Sequence, residues 1–561
     1  FMDRLRSTTF LSTLTGASLA LILLAPQAAQ ADTTVSTSTT APLKTSTAGN
    51  VTVASGGTIT LGSGGTAVTV DSNNTATVAS GGTISNTGGK DGDTGITIEA
   101  GRNTTVTNGG TITVTESFNG ADTDNNGIVD GPIASASNRY GILVGAGATT
   151  TATLKNTGTI TVEGLNSGGM VAKSDLTGSV SNTGTIKVLG DNSVGIGTKG
   201  VSGNVTVEGT VAVVGAGAQG LVVDGNVGGA VRIQGAISQS SAYTNDAGST
   251  KTLSRTDLRT GKAAVEIGGS VAGGILLDAA PYDLDSTKTD EDNDGVADAS
   301  EVTGTITSVG NSPGILVGAA SDIVIGKVKG RDGEFSLALD GNVTANAVYS
   351  NTDAYAVVIG GKGGTVTMAN GIGVSGTISA TTVDQKAVAI LINEGSTVPS
   401  LSNSGSIKAT LSSPGEGTAY AIQDKSGTLT SLNNTGFISV SGSSGDDLRA
   451  IDLTANTSGV TIKQYLNAID KKAQDAEKAA SGYNPANPTI YTSITGNIHT
   501  GSGNDVLDVA SGRIFGNSFL GAGNDSVLLS GDSGYVGNID FGAGTATMTM
   551  GDTAFFIGKL D

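Results

Sequence analysis

A phrase of the form Gly-Thr-Ile-x-Val recurs along the chain, and its period constrains the fold more than any other feature. Four consecutive copies have their glycines at Gly158, Gly184, Gly209 and Gly235, so the steps are 26, 25 and 26 residues. Constant steps in the twenties are typical of solenoids, in which each repeat is one coil stacked on its neighbours. Further copies have their glycines at Gly57, Gly82, Gly110, Gly304, Gly376, Gly405 and Gly436.

Thr, Val and Ile alternate within these phrases, which is the pattern of β-strands. Gly, Asn, Asp and Ser separate the runs, and we expect them to supply the positive φ angles of tight corners. A coil of about 25 residues has room for three strands of about five residues. We therefore predict an all-β fold, a parallel β-helix with about 20–31 residues per coil, loop insertions and one short amphipathic helix.

Roughly 17 such coils, spaced by about 4.8 Å, would form a rod about 80 Å long. A multi-domain protein of β-sandwiches is the alternative, but it has no need of constant steps. The last stretch repeats more tightly, with copies that open at Gly496, Gly516, Gly537 and Gly558, in steps of 20, 21 and 21 residues. Because the chain stops inside the fourth copy, we expect a C-terminal portion beyond Asp561.

Composition excludes several classes of function. The chain of 561 residues has no Cys, no Trp and a single His, and its net charge is -19. Disulfides, thiol catalysis and zinc–thiolate sites are therefore absent, and catalytic triads that need a histidine are disfavoured. We expect no nucleic-acid partner, because the phosphate backbone would repel so acidic a chain.

The N-terminus has the features of a secretory signal peptide over residues 1–31. Arg4 and Arg6 form a basic region, an apolar stretch follows, and Ala29-Gln30-Ala31 fits the small-x-small cleavage rule. We predict cleavage after Ala31, with Asp32 as the first mature residue. A membrane anchor is the alternative, but the apolar run is too short to span a bilayer about 30 Å thick.

A Cys-free, Gly- and Thr-rich solenoid with the phrases "NTGTI" and "GAGND" resembles the passenger region of bacterial autotransporters (type V secretion). The likeness covers nearly all of residues 32–561 and depends on the style of the repeats. It implies an outer-membrane β-barrel after the passenger and a location at the cell outer membrane or cell surface of a Gram-negative bacterium. It also implies a host, cell-surface or polysaccharide ligand, or self-association.

The insertion at about 279–301 contains "DEDNDGVADASE", in which oxygen-bearing residues have the spacing of a calcium loop. Ca²⁺ takes about six to eight hard oxygens arranged around a sharp turn, here at Gly295. The flanks are predicted as strand and loop, so the segment resembles the free-standing calcium loops of extracellular proteins. An acidic, solvated surface loop is the alternative. The predicted ligands are Asp290, Asp292, Asp294, the carbonyl of Val296, Asp298 and Glu301.

A second insertion, at about 117–138, contains "DTDNNGIVD" and predicts a weaker site of the same kind. Ile133 stands where the bidentate glutamate of a calcium loop belongs. The predicted ligands are Asp122, Asp124, Asn126, the carbonyl of Ile128 and Asp130. The "GSGND" and "GAGND" phrases resemble the nonapeptides of RTX toxins, but their period is about 20 rather than nine, so we interpret them as coil corners.

One amphipathic helix is predicted over residues 462–480, with Ile462, Tyr465, Leu466 and Ile469 on its apolar face. The predicted organisation is a signal peptide (1–31), a β-solenoid (32–460) with insertions at about 117–138 and 279–301, a helical insertion and loop (461–490), and a second solenoid stretch (491–561) with repeats of 20–21 residues.

Three functions fit these features. The first is a non-enzymatic surface rod, the passenger of an autotransporter in adhesion, aggregation or surface display. The second is a secreted carbohydrate-active lyase or hydrolase, which would need paired carboxylates or a calcium site with a nearby arginine. The acidic residues concentrate in the two insertions, which favours the non-enzymatic interpretation. The third is a secreted solenoid adhesin that a separate transporter delivers.

Overall fold

Three parallel β-sheets run the length of the molecule and enclose a narrow core. The computed structural model describes residues 30–243, 254, 256–257, 259, 261–280, 287–290, 297–329, 334–413, 415, 417–484 and 487–561. In each coil the chain passes through the first, second and third sheets in turn, and each strand pairs with the equivalent strand one coil later. The fold is therefore a parallel β-helix, as the period of the sequence predicts.

The first sheet contains Thr33–Val35, Val51–Val53, Ala76–Val78, Asn103–Asn108, Thr150–Asn156, Leu176–Thr177, Val180–Asn182, Val205–Val207, Val231–Ile233, Ile275–Leu277, Leu337–Leu339, Ile372–Val374, Ser400–Asn403, Ser431–Asn434, Thr461–Gln464, Val506–Val509, Ser526–Leu529 and Thr547–Met550. The second contains Ser38–Thr39, Thr58–Leu61, Thr83–Asn86, Thr111–Val114, Thr159–Glu163, Thr185–Leu189, Thr210–Val214, Ala236–Ser240, Thr305–Val309, Asn342–Asn346, Thr377–Thr382, Ser406–Leu411, Phe437–Ser441, Ser493–Thr495, Arg513–Phe515, Gly534–Val536 and Phe555–Ile557.

The third sheet contains Leu43–Lys44, Thr66–Val70, Thr94–Ile98, Tyr140–Val144, Gly168–Ala172, Val194–Thr198, Gln219–Val223, Val265–Ile267, Ile315–Val317, Ala354–Ile359, Lys386–Ile392, Thr418–Asp424, Asp447–Asp452, Asn497–His499, Ser518–Phe519 and Ile539–Asp540. A small sheet contains Ile323–Val324, Val366–Thr367 and Ser396–Thr397. The helices within the described ranges are Thr45–Ala48 and Ala468–Ala479, with a 3-10 turn at Asp298–Ser300.

Aliphatic side chains stack in register through the core. Ile84, Ile112, Ile160 and Ile186 occupy one position of the second sheet in successive coils, and each is fully buried. Because a parallel strand places alternate residues on opposite faces, the "GTITV" phrase directs its Ile and Val inward and its Thr outward. Burial of this column in every coil supplies the hydrophobic stabilisation of the rod.

The glycines of the repeat are required for a reason other than the predicted positive φ. Gly184 lies outside the left-handed region, but a Cβ at this position would lie 2.1 Å from the carbonyl oxygen of Gly158, one coil earlier. A Cβ on Gly158 would likewise lie 2.1 Å from the carbonyl oxygen of Gly110. The expectation of positive φ is therefore wrong for these glycines, although it holds for others such as Gly56, whose φ is 78°.

Insertions leave the rod at two corners. Residues 115–139 connect the second sheet to the third, and so do residues 241–264, four coils further along. The acidic insertion near 279–301 and the helix at Ala468–Ala479 both connect the first sheet to the second. The two predicted calcium loops therefore lie at different corners, and the sequence analysis missed the insertion at 241–264.

The helix begins six residues later than the predicted residue Ile462. Thr461–Gln464 is a strand of the first sheet, in which Ile462 pairs between Leu432 and Leu507 and is buried in the core. The predicted apolar face is therefore wrong, because its first residue belongs to a strand that pairs with the adjacent coils. The helix is capped by Asn467, whose side chain accepts a hydrogen bond from the Asp470 amide. Among the described residues, no helix is long and apolar enough to cross a membrane.

Candidate metal centre

The insertion at 115–139 is anchored at its base by two glutamates. The carboxylate of Glu116 accepts hydrogen bonds from the amides of Ser135 (2.5 Å) and Ala136 (2.8 Å), which draws the two ends of the insertion together. The carboxylate of Glu163, one coil later, accepts from the amides of Glu116 (2.9 Å) and Phe118 (3.2 Å). These charge-assisted bonds fix the direction in which the loop leaves the rod.

A buried arginine closes the same base. The guanidinium of Arg139 is inaccessible to solvent and donates to the carbonyls of Glu163 (2.7 Å) and Thr115 (2.9 Å). Its Nη2 atom lies 3.6 Å from a carboxylate oxygen of Asp93, which is also buried. Burial lowers the pKa of Arg139, and the charge of Asp93 acts against that shift. The loss of either partner would leave an uncompensated charge in the rod.

Three of the predicted ligands meet at the tip of this loop. Asp122, Asp124 and Asp130 each offer one carboxylate oxygen, and these oxygens lie within 4.8 Å of one another. Two oxygens on opposite sides of a Ca²⁺ ion are separated by about this distance, because each Ca–O bond is about 2.4 Å long. The fold therefore brings together three of the carboxylates that the sequence spacing predicts as calcium ligands.

The side chain of Asn126, another predicted ligand of this loop, hydrogen-bonds within the loop, and calcium binding by the Ile128 carbonyl stays a prediction. The amide group of Asn126 accepts from the Ile128 backbone (2.8 Å) and donates to Asp124 (3.1 Å), so it shapes the turn. Gly127 has a φ of 87° and donates its amide to Asp122 (2.8 Å). The side chain of Ile128 is buried. This turn points the carboxylates toward each other.

The electrostatics of the cluster agree with a site that attracts cations. Desolvation raises the pKa of Asp124, and the negative charges of Asp130 and Asp257 add to the shift. Hydrogen bonds from the hydroxyl and amide of Thr123 lower the pKa of Asp130, and the positive charge of Arg259 lowers it further. Carboxylates crowded in this way repel one another, and a bound cation would relieve the repulsion.

A fourth carboxylate, which the sequence analysis missed, lies beside this cluster. Asp257 belongs to the insertion at 241–264 and is fully buried. Its Oδ2 atom accepts from the side-chain amide of Asn126 (3.1 Å), 131 residues away in sequence. One sequence signal points to its insertion: the repeated phrase is absent between Gly235 and Gly304, an interval much longer than one coil.

The second predicted calcium loop is only partly described. Asp292, Asp294 and Val296 lie outside the described residues, as does Ala29 of the predicted cleavage site. Asp290 is partly exposed, and Asp298 begins the 3-10 turn, its amide donating to the Thr289 carbonyl (2.9 Å). Calcium binding at this loop stays a prediction.

Glu301, the predicted bidentate ligand of that loop, contacts the rod. Its buried carboxylate accepts from the side-chain amide of Gln234 and lies 3.7 Å from the guanidinium of Arg232. Arg232 also pairs with Asp278 (2.6 Å). The structure therefore gives Glu301 the role of tying this loop to an arginine on the rod.

A second group of charges lies on the outer face of the third sheet. Arg449 pairs with Asp447 (2.8 Å) and Asp452 (3.4 Å), and it lies over the ring of Tyr420 at 5.8 Å. Its hydrogen bonds to Asp447 raise the pKa of Arg449. The neighbouring His499 stacks on a phenylalanine, and burial lowers its pKa. The two carboxylates here are paired with an arginine rather than with each other.

Residues 25–213 match the family model described as the BigA third pectate lyase-like domain. The match covers about a third of the chain and includes the acidic cluster at 122–130. Searches of curated proteins and of solved structures found no match. The three stacked parallel sheets show that the chain is a β-helical protein. The family match shows that its N-terminal third is similar to a pectate lyase-like domain.

Proposed function

We propose that the protein is a non-enzymatic, exported surface rod, the passenger of an autotransporter, in adhesion, aggregation or surface display. The observation that carries the proposal is the stack of parallel coils from Thr33 to Ile557, which extends well beyond the matched segment. Such a stack presents long repetitive faces to solvent and tolerates loops at its corners. These are the properties that a spacer or an adhesive rod needs.

Two further features support export. The first described strand begins at Thr33, two residues after Ala31, so cleavage at the predicted site would remove none of the described strands. The chain contains no cysteine, so no disulfide can form in an oxidising compartment and trap it before it folds.

The ligand that we propose is a polysaccharide or another cell-surface molecule, with self-association as the alternative. An open cavity of about 540 Å³ lies at the corner between the second and third sheets. It is lined by hydroxyl, amide and aromatic groups, which suit a polyhydroxylated ligand better than an apolar one. The lining residues that carry this argument are Tyr349, Asn351, Asp353, Tyr355 and Gln385.

The proposal is tested by expressing the gene, with the DNA downstream of the codon for Asp561, in a Gram-negative host that lacks surface adhesins. We expect protease-accessible rod on intact cells, an N-terminus at Asp32, and increased cell aggregation or binding to a glycan array. The same gene without the codons for residues 1–31 is the control for export. Rod found only in the medium would favour a separate transporter, and rod retained inside the cell would contradict the proposal.

A carbohydrate-active enzyme is the second candidate, because the matched family model is described as pectate lyase-like. Arg449 and Lys386 lie beside Tyr420 on the outer face of the third sheet, where a polyanionic chain would compete with Asp447 and Asp452 for Arg449. Incubation of the purified rod with polygalacturonate tests this function. Release of unsaturated or reducing ends that Arg449→Ala abolishes would support it, whereas unchanged polymer would favour the non-enzymatic rod.

A further inference from the structure

The insertion at 115–139 runs along the rod rather than away from it. Ser137 donates its amide to the carboxylate of Asp91, which lies in the corner of the preceding coil (2.7 Å). Leu165, in the corner of the following coil, donates its amide to the Ala136 carbonyl (2.8 Å). Both corners connect the second sheet to the third, as the insertion itself does. The end of the insertion is therefore bonded to the coils on either side of its own.

Two coils beyond its own, the insertion is bonded to Asp191. The amide of Asp191 donates to the Ile133 carbonyl (3.1 Å), and its Oδ2 atom accepts from the Ile133 amide (3.3 Å). Its Oδ1 atom accepts from the amide of Ala216, in the corner of the next coil (2.7 Å). One carboxylate therefore joins the insertion to two successive corners through charge-assisted hydrogen bonds.

The far end of the insertion reaches the fourth coil along. The Val129 amide donates to the Tyr243 carbonyl (2.8 Å), and the rings of Phe118 and Tyr243 lie 5.9 Å apart. The side-chain amide of Asn126 donates to Asp257, in the same coil as Tyr243 (3.1 Å). From the preceding coil to this one, the contacts span six consecutive coils, about 24 Å of rod at about 4.8 Å per coil.

The insertion is packed as part of the fold. The side chains of Ile128, Val129 and Ile133 are buried, each with at most 4% of its surface exposed. The two limbs of the insertion pair through a hydrogen bond from the Asp130 amide to the Ala121 carbonyl (3.0 Å). Detachment of the insertion would expose these apolar side chains to water and is therefore opposed by the hydrophobic effect. A loop that only displays residues to solvent has no need of a buried underside.

We propose that residues 116–138 act as a strap that couples these six coils, so that they open together rather than one at a time. In a solenoid without such a contact, each coil is held only by its two neighbours, and opening can begin at any weak interface. A strap bonded to corners as far as four coils away must lose those bonds before the coils beneath it separate. The segment from about residue 91 to about residue 243 is thus more resistant to local opening than it would be without the strap. The inference does not depend on the proposed surface function.

Native-state hydrogen–deuterium exchange of the full chain tests the proposal. Residues 118–134 are replaced by a short Gly-Ser linker, which leaves the strands of the three sheets unchanged. We expect amide exchange over residues 159–223 to become faster by about tenfold or more, and to differ from coil to coil where the parent has one common rate. Exchange over residues 377–441 should stay as in the parent. The matched control replaces residues 468–480 of the helical insertion by the same linker and should leave exchange over 159–223 unchanged.

Circular dichroism shows whether each variant is folded. If the linker variant does not fold, Ile133→Ala keeps the proposal testable, because it removes a buried contact of the strap and changes no strand. It should accelerate exchange over the same residues, 159–223, by a smaller factor. Unchanged exchange over these residues in the folded variants would overturn the proposal. So would acceleration limited to the coil that follows the insertion, since the insertion would then rest on the rod without coupling its coils.

Discussion

The buried asparagines of the repeated phrase join adjacent coils through their side chains. The amide of Asn108 donates to Asn156 (2.7 Å), and that of Asn156 donates to Asn182 (2.7 Å). All three are inaccessible to solvent. Each amide satisfies its neighbour's carbonyl oxygen, so the ladder places polar side chains inside the rod without leaving orphaned acceptors between these coils.

We predict that Asn156→Leu lowers the free energy of unfolding by about 2–3 kcal/mol. The leucine fills the space, but it leaves the amide donor of Asn108 and the carbonyl acceptor of Asn182 buried without this partner. Thr153→Ala, an exposed position on the same strand, is the control and should change stability by less than about 0.5 kcal/mol. Urea denaturation followed by circular dichroism measures both, and equal effects would contradict the role of the ladder.

The repeat glycines give a second prediction at the scale of one residue. Gly184→Ala places a methyl group 2.1 Å from a carbonyl oxygen of the previous coil, whereas Gly56→Ala meets no atom within 4 Å. The first change must push two coils apart, so we expect a loss of about 3 kcal/mol or more. The second is strained only by its φ of 78° and should cost about 1 kcal/mol.

Thermal unfolding of the two glycine variants measures this difference. If Gly184→Ala costs no more stability than Gly56→Ala, the close approach of adjacent coils does not explain the repeat glycines. The sequence identified the glycines but assigned the wrong cause. Their constraint comes from a backbone oxygen about one period away, which is visible only when the register of the coils is known.

The C-terminal coils contain two buried aspartates. Asp505 and Asp525 occupy equivalent corners of successive coils and are almost fully buried. Asp505 accepts from the Val460 amide (2.7 Å), and its own amide donates to Asp525 (2.8 Å). Burial raises the pKa of both carboxyl groups above 3.8, and the charge of Asp525 adds to the shift of Asp505. These aspartates accept hydrogen bonds from backbone amides at the corners of the coils.

Because the pKa of Asp505 is higher in the folded protein, its protonation favours folding. This contribution is fully present below the unfolded pKa of 3.8 and is lost as the pH rises through the folded pKa. We predict that Asp505→Asn stabilises the C-terminal coils at about pH 7 and that its advantage shrinks toward about pH 4. Melting curves across this range, with Asp508→Asn on the strand that follows as control, test the prediction. An advantage independent of pH would contradict it.

Strand elements were predictable from the sequence to a greater extent than insertions. The alternation of Thr with Ile and Val predicted the strands, because these residues alternate between the core and the surface in the same way in successive coils. The insertion at 241–264 escaped notice, because its Ser, Thr and Asn residues resemble those of ordinary corners. The contact of Asp257 with Asn126 could not be predicted, since it joins residues 131 apart in sequence and crosses four coils.

The start of the helix could not be predicted from the local sequence pattern either. Ile462, Tyr465 and Ile469 fit a helical period, but Ile462 also fits the core column between Leu432 and Leu507. Pairing with two adjacent coils outweighs the weak preference of a short helix. Tyr465 and Ile469 are consequently exposed, at 41% and 37% of their surface.

At the scale of the whole molecule, most of the stability of the rod comes from contacts between adjacent coils. Each strand of the three long sheets pairs with the strands before and after it, and the insertion at 115–139 is a local exception that contacts a corner four coils further along. Stability in such an array is approximately a sum of coil and interface contributions. Damage to one interface should therefore open the coils around it without unfolding distant ones.

Hydrogen–deuterium exchange of Gly184→Ala tests this prediction. We expect faster amide exchange over about residues 159–214, where the displaced coils lose their ladder hydrogen bonds, and unchanged exchange over residues 493–557. Gly56→Ala should leave exchange in both regions as in the parent, since its methyl group meets no neighbouring coil. Acceleration of both regions by Gly184→Ala would mean that the rod opens as one cooperative unit.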